Sequence, residues 1–214
     1  MSFRKISNAG RRINVCKLPS KKMRRNIWTE SILELCLAYL CERDPTVVSY
    51  LTQAIRIYYE LNGKRHSYTA DFLVYRKDQR PLIVEVKCES QITAWFEQLF
   101  RIVTPICDLA GYDFLVYTEH EIRIEPLLTT IKRLWYYSRT PLYPHQQLLA
   151  HEFLSNRQVA TLGEMFDSFE SRGSERSVVL ALLYHNFILT DYSIPLGLNS
   201  PIWLPSTTDL RRKR

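Results

Sequence analysis

Asp71, Glu85 and Lys87 are the residues whose types and spacing fit a chemical task. They lie in Tyr68–Gln91, YTADFLVYRKDQRPLIVEVKCESQ, which reads as two short strands, Ala70–Tyr75 and Leu82–Lys87. The connection between them, Arg76–Pro81, is charged and ends in a proline, which suits a loop and not a central strand. Side chains alternate along a strand, so Leu82, Val84 and Val86 face one way and Ile83, Glu85 and Lys87 the other. A carboxylate and an ammonium thus share one face, and strand pairing would bring Asp71 alongside Glu85. Asp followed by Glu-x-Lys on the next strand is a constellation suited to a magnesium-dependent phosphodiesterase. Hard divalent cations take carboxylate oxygens, and a lysine beside them can orient or activate the attacking water. The competing reading is a solvated strand face with a surface ion pair, worth roughly 0–1 kcal/mol.

The elements around these residues must position them. Trp28–Glu42 is helical in pattern, with Thr29 as N-cap and an apolar stripe of Ile32, Leu35, Cys36, Tyr39 and Leu40. Asp44-Pro45 ends it. Glu34 stands among Leu33, Leu35, Leu37 and Ala38, so its carboxylate is expected to be part-buried and in need of a cation or donors. The alternative is a helix-edge glutamate reaching to water, as Glu30 is expected to do. Strands Val47–Tyr50 and Ala54–Leu61 follow, then the hairpin turn Asn62-Gly63-Lys64 and the two strands above. Trp95–Leu109 is an amphipathic helix expected to break near Pro105, and Tyr112–Thr118 an apolar strand. This order implies an α/β fold: a mixed sheet flanked by helices.

With 214 residues, of which 46% are hydrophobic, the chain can form one domain and a smaller second one. No apolar run approaches membrane-spanning length, and MSFRKISNAGRR has no signal-peptide core. The five cysteines are odd in number and form no Cys-x-x-Cys pair, which argues against a disulfide framework or zinc site and for a reducing compartment. The net charge of +7 fits a polyanionic partner. No acidic residue precedes Glu30, and residues 1–27 read as a basic arm. Its Arg11, Arg12, Lys17, Lys21, Lys22, Arg24 and Arg25 are candidates for DNA phosphates, where each neutralised charge releases a counterion. Such a block of charge is often a disordered tail, but the interleaved Ile13, Val15, Leu18, Met23 and Ile27 argue that it is partly ordered.

A core domain is expected over residues 28–137, a linker over 138–144, a second small α+β domain over 145–205 and a basic tail over 206–214. In the second domain, helices at His145–Asn156, Thr161–Glu170 and Ser174–Asn186 precede strands at Phe187–Leu189 and Ile202–Leu204, a winged-helix-like pattern. The third helix offers only Arg176 and His185 as basic groups, so protein docking competes there with base readout.

Taken together, Glu30-Ser31-Ile32-Leu33-Glu34, then Val47, Val48 and Gln53, then Tyr68-Thr69-Ala70-Asp71-Phe72-Leu73-Val74, Glu85-Val86-Lys87 and Phe114–Thr118 resemble a known family. The order is similar to that of PD-(D/E)xK nucleases of restriction-endonuclease-like fold. More narrowly, over roughly residues 10–135, it resembles TnsA, the endonuclease subunit of heteromeric transposases. Ala70 stands where the wider family's motif has proline. The resemblance implies catalytic roles for Glu34, Asp71, Glu85 and Lys87. It implies magnesium, or manganese in its place, on Glu34, Asp71, Glu85 and the Val86 carbonyl. It implies cleavage at the 5′ ends of a transposon in double-stranded DNA, alongside a TnsB-like transposase and a TnsC-like AAA+ regulator in the bacterial cytoplasm. Another PD-(D/E)xK nuclease, of restriction or repair type, and a non-catalytic adaptor between DNA and a transposition regulator are the alternatives.

Overall fold

The structure, a computed structural model, describes residues 15–155, 157 and 159–206. Arg11, Arg12 and the tail from residue 207 lie outside the described residues. Two compact units meet in sequence between Arg123 and Ile124.

The first unit opens with an antiparallel hairpin, β1 (Cys16–Ser20) and β2 (Arg25–Thr29), in place of the basic arm expected there. Alternation explains it: Leu18 and Ile27 face each other across the pair and are almost wholly buried, while Lys17 and Trp28 stay outside. Helix α1 therefore starts later than expected, at Ile32, and runs to Arg43 with Ser31, not Thr29, as its N-cap. The buried carboxylate of Glu42 clasps the hairpin turn to the helix. It accepts from the hydroxyls of Ser20 and Tyr50 and from the N–H groups of Lys21, at 3.0 Å, and Lys22, at 3.4 Å. Lys22 is turned inward, donating its ammonium to the carbonyl oxygens of Asp44 and Val47. Burial lowers its pKa, and its ammonium is bound to backbone carbonyls of the first unit, whereas the sequence pattern offers it to DNA phosphates.

The central sheet has four strands in the order β3-β4-β5-β6. Val47–Leu61 forms one long strand, β3, where two were expected, and β4 runs Lys64–Arg76. Between them Asn62 and Gly63 both have positive φ, 52° and 69°, the geometry of a hairpin turn that follows strand twist. A register shift between Thr52 and Ile55 marks a bulge, and Gln53 within it has φ 50°. Strand β5 (Leu82–Val86) is antiparallel to β4 and parallel to β6 (Asp113–Tyr117). Every residue of β5 is buried, as befits a central strand covered on both faces. Helix α2 (Ala94–Leu109) runs through Pro105 without the expected break and sets Leu99, Val103 and Cys107 against Ile57, Leu73 and Ile83. On the other face Leu37, Leu40 and Cys41 of α1 share a cavity with Val74, Leu82 and Val84. A short helix, α3 (Glu119–Ile122), closes the unit.

The second unit begins with α4 (Leu127–Tyr136), which the sequence pattern assigns to the first domain. Leu134 of α4 packs into the core of α5 (Pro144–Ser155), α6 (Leu162–Glu170) and α7 (Arg176–Tyr184). The expected linker holds a turn of 3-10 helix, Tyr137–Arg139, with Ser138 buried. Three short antiparallel strands, β7 (Ala160–Thr161), β8 (Leu189–Thr190) and β9 (Pro201–Trp203), pair in the order β7-β9-β8. Of these, β7 is not foreseen by the sequence pattern.

Glu42→Ala should destabilise the first unit by about 3 kcal/mol or more, because it strands several buried donors that now meet a charge. Urea unfolding measures this; a loss below about 1 kcal/mol would show that the clasp contributes little.

Candidate active site

The β4–β5 register fixes the first pair of acids. Phe72 faces Val84, so the next pair along is Asp71 and Glu85. The chain then departs from sheet pairing. Val86 donates its N–H to Asp71 Oδ2 at 2.9 Å, so a side chain takes the place of a strand partner where β5 ends. The bulge in β3 aims Gln53 at the same carboxylate, and its Nε2 donates to Asp71 Oδ1 at 2.9 Å. Gln53 is only 1% exposed. A left-handed backbone at a non-glycine residue is uncommon and marks a position held by its surroundings.

Glu85, 2% exposed, is held from two sides. The Tyr68 hydroxyl donates to Oε2, and the Lys87 ammonium lies 3.0 Å from Oε1. Lys87 also sits 4.9 Å over the centre of the Phe96 ring. The third acid arrives through a helix cap. Ser31 accepts from the Glu34 N–H at 3.0 Å, and Glu34 reaches back to accept from the Glu30 N–H at 3.0 Å. This cap turns Glu34 toward the sheet rather than toward water. Glu34, Asp71, Glu85, Val86 and Lys87 all line one cleft of about 630 Å³, together with Gln53, Tyr68 and Phe96.

The electrostatics are strained. Burial, then the charge of Asp71, pushes Glu34 up to about 7. Burial and the charge of Glu85 push Asp71 well above the carboxylate range, and the Val86 N–H and Lys87 only partly offset them. Burial acts against the charge of Lys87, but Glu85, Asp71 and Glu34 outweigh it and hold the ammonium above its ordinary value. Burial also raises Tyr68, followed by the charge of Glu85, so the phenol stays a donor. Three carboxylates, whose oxygens are hard donors, against one ammonium are a set that fits a divalent cation such as magnesium. Among the described residues, however, no three acids, histidines or cysteines are gathered closely enough to clasp an ion as they stand. The three carboxylates are instead tied to Gln53, Tyr68, Lys87 and backbone N–H groups. That differs from the ready-made cluster expected of such a site.

Of the remaining sequence candidates, Lys17, Lys21, Arg24 and Arg25 lie on the β1–β2 hairpin and its turn, outside the residues that line the cleft. Gln53, Tyr68 and Ser31 are site residues that strand and helix patterning alone does not single out. The spacing Ser31-x-x-Glu34 is a capping-box signal that could have placed both the helix start and the direction of Glu34.

A mixed sheet flanked by helices, with Asp71 in β4 beside Glu85 at the end of β5 and Lys87 just beyond, defines a restriction-endonuclease-like fold. Residues 44–119 match the family described as "TnsA-like endonuclease N terminal". Asp71, Glu85 and Lys87 fall inside the match, and Glu34 precedes it. No curated protein matches the chain.

The sign of the Glu34 shift makes a prediction. Its value of about 7 in the fold lies above the ordinary 4.5, so folding favours the protonated acid. The charge costs nothing below about pH 4.5, costs more as pH rises, and costs its full amount above pH 7. Glu34→Gln should therefore stabilise the metal-free protein at pH 8, by about 1–3 kcal/mol, and leave it unchanged near pH 4.5. Thermal melts in chelator at the two pH values check this; equal effects at both would refute it.

Proposed function

We propose that this chain is the subunit of a transposase that hydrolyses DNA phosphodiesters at the 5′ ends of a transposon. The observation that carries the reading is the convergence of Glu34, Asp71, Glu85 and Lys87 on one cleft, three of them within a TnsA-like endonuclease segment. Asp71 and Glu85 would hold a divalent cation, magnesium or manganese, with Glu34 from α1 and the Val86 carbonyl completing the protein ligands. Bound there, the cation supplies charge stabilisation to the attacking and leaving oxygens. Lys87, kept protonated by its acid neighbours, donates to a non-bridging phosphate oxygen and orients the attacking water. Gln53 and Tyr68 keep Asp71 and Glu85 from swinging apart, and Phe96 confines the lysine.

The reading also includes a division of labour. Asp, Glu and Lys address metal and phosphate, which are alike at every base step. The second unit is winged-helix-like in element order, but α7, in the place of a groove-reading helix, is buried from Val178 to Tyr184. Its one exposed arginine, Arg176, is paired with Glu170 at 2.7 Å. This supports a docking role for the second unit, toward a TnsB-like transposase or a TnsC-like AAA+ regulator. Sequence choice would then rest with those partners. No helix among the described residues is long and apolar enough to cross a membrane, which suits work on DNA in the bacterial cytoplasm.

Asp71→Asn should abolish magnesium-dependent cutting of a transposon-end duplex, assayed with the partner subunits present, while DNA affinity changes less than about threefold. Asparagine keeps an acceptor for the Val86 N–H, so the fold is retained while the metal's charge complement is lost. Full cutting by this variant would sink the assignment. The isolated protein should bind transposon-end and scrambled duplexes alike at matched salt. A preference of about a thousandfold for the end sequence, the lower edge of specific recognition, would refute the division of labour.

A further inference from the structure

We propose that the outer part of the β3–β4 hairpin is a contact surface for duplex DNA, gripping the sugar-phosphate backbone beside the cleft. The proposal deepens the nuclease reading and rests on it for the choice of substrate. β5 pairs with β4 only as far out as Phe72, so Arg56–Leu61 and Lys64–Thr69 continue as a two-stranded ribbon. Residues directly opposite in a pair share a face. Ile57↔Tyr68 and Tyr59↔His66 form the inner face, and Ile57, Tyr59 and Tyr68 pack into the core beneath α2. Arg56↔Thr69, Tyr58↔Ser67 and Glu60↔Arg65 form the outer face.

That outer face is open. Arg56, Glu60, Arg65 and Ser67 are exposed, and Tyr58 is 69% exposed. Among the described residues, neither the Arg56 nor the Arg65 side chain has an ion-pair or hydrogen-bond partner. The face is also continuous with the candidate active site, because Ser67 and Thr69 line the same cleft as Asp71, Glu85 and Lys87. From Asp71 out to Arg65 the ribbon spans about 20 Å at roughly 3.3 Å per residue, or about six base steps of duplex. The end nearest the cleft carries Arg56 and the hydroxyls of Tyr58, Ser67 and Thr69, all of them phosphate donors. The one acid, Glu60, sits at the far end opposite Arg65. A protein partner would ask for an apolar centre, and this face has no aliphatic side chain.

The test is binding of a duplex of about 30 base pairs in chelator, so the outcome does not depend on whether the chain cuts; cutting is assayed separately with magnesium. Arg56→Glu should weaken binding tenfold or more at about 0.1 M salt. Lys77→Glu carries the same charge change in the β4–β5 turn, at the opposite end of β5 from Glu85, and should weaken it less than threefold. In the double variant Arg56→Ala, Arg65→Ala, the slope of log affinity against log salt should fall in magnitude by about 2, near 0.9 for each phosphate that is no longer neutralised. Equal weakening by Arg56→Glu and Lys77→Glu, or an unchanged slope in the double variant, would overturn the proposal.

Discussion

Asp71 and Glu85 stand opposite each other where β4 parts from the end of β5, with Glu34 brought in from α1 and Lys87 as the lone cation of the group. Like charges opposite each other in a sheet repel, and burial raises the cost of keeping either charged. Much of the surrounding structure can be understood as the means of holding them. Gln53 belongs to β3, Tyr68 to β4, the Val86 N–H to the last residue of β5, and Ser31 to the cap of α1. Each carboxylate is restrained by a different element, so the acids hold their places only when the whole sheet and the helix are assembled. The strained backbone of Gln53 has the same cause: a regular strand would leave Asp71 Oδ1 without that donor.

The parts of this arrangement that depend on short-range periodicity are legible in the sequence. Glu85 and Lys87 share a face because the strand period is 2, and β5 announces itself by an apolar run. Glu34 is conspicuous as an acid among leucines. What depends on tertiary pairing is not legible. Thr29 and Ser31 are both good caps; the Ser31-x-x-Glu34 spacing favours Ser31, and the pairing of β2 with β1, which no short-range pattern shows, takes Thr29 into a strand. Leu18 and Ile27, interleaved among the basic residues, hint at order there, but neither their pairing across a hairpin nor the inward turn of Lys22 shows in the pattern. A β-bulge leaves little trace in a strand pattern, which is why Gln53 stands out in the sequence only as part of a family likeness.

The boundary between the units is misplaced by composition for a related reason. Tyr136–Tyr143 has the proline and polar residues of a linker, yet Ser138 is buried and His185 Nε2 lies 3.2 Å from its carbonyl oxygen. Leu128, Ile131 and Leu134 of α4 are buried as well, and Leu134 joins the core of the second unit. Composition locates a change of character in the chain; packing decides which side of that change a helix belongs to.

The Glu42 clasp also sets how far the chain can be shortened from its amino end. Removing residues before Val15 leaves every hydrogen bond of the clasp in place. Removing the chain through Arg25 takes Ser20 and the N–H groups of Lys21 and Lys22 from the buried carboxylate, leaving it the Tyr50 hydroxyl. It also uncovers the apolar surface that Leu18 now hides. A trimmed version for crystallisation, or a fusion that joins this protein to another subunit, should therefore begin no later than Cys16, the first residue of β1.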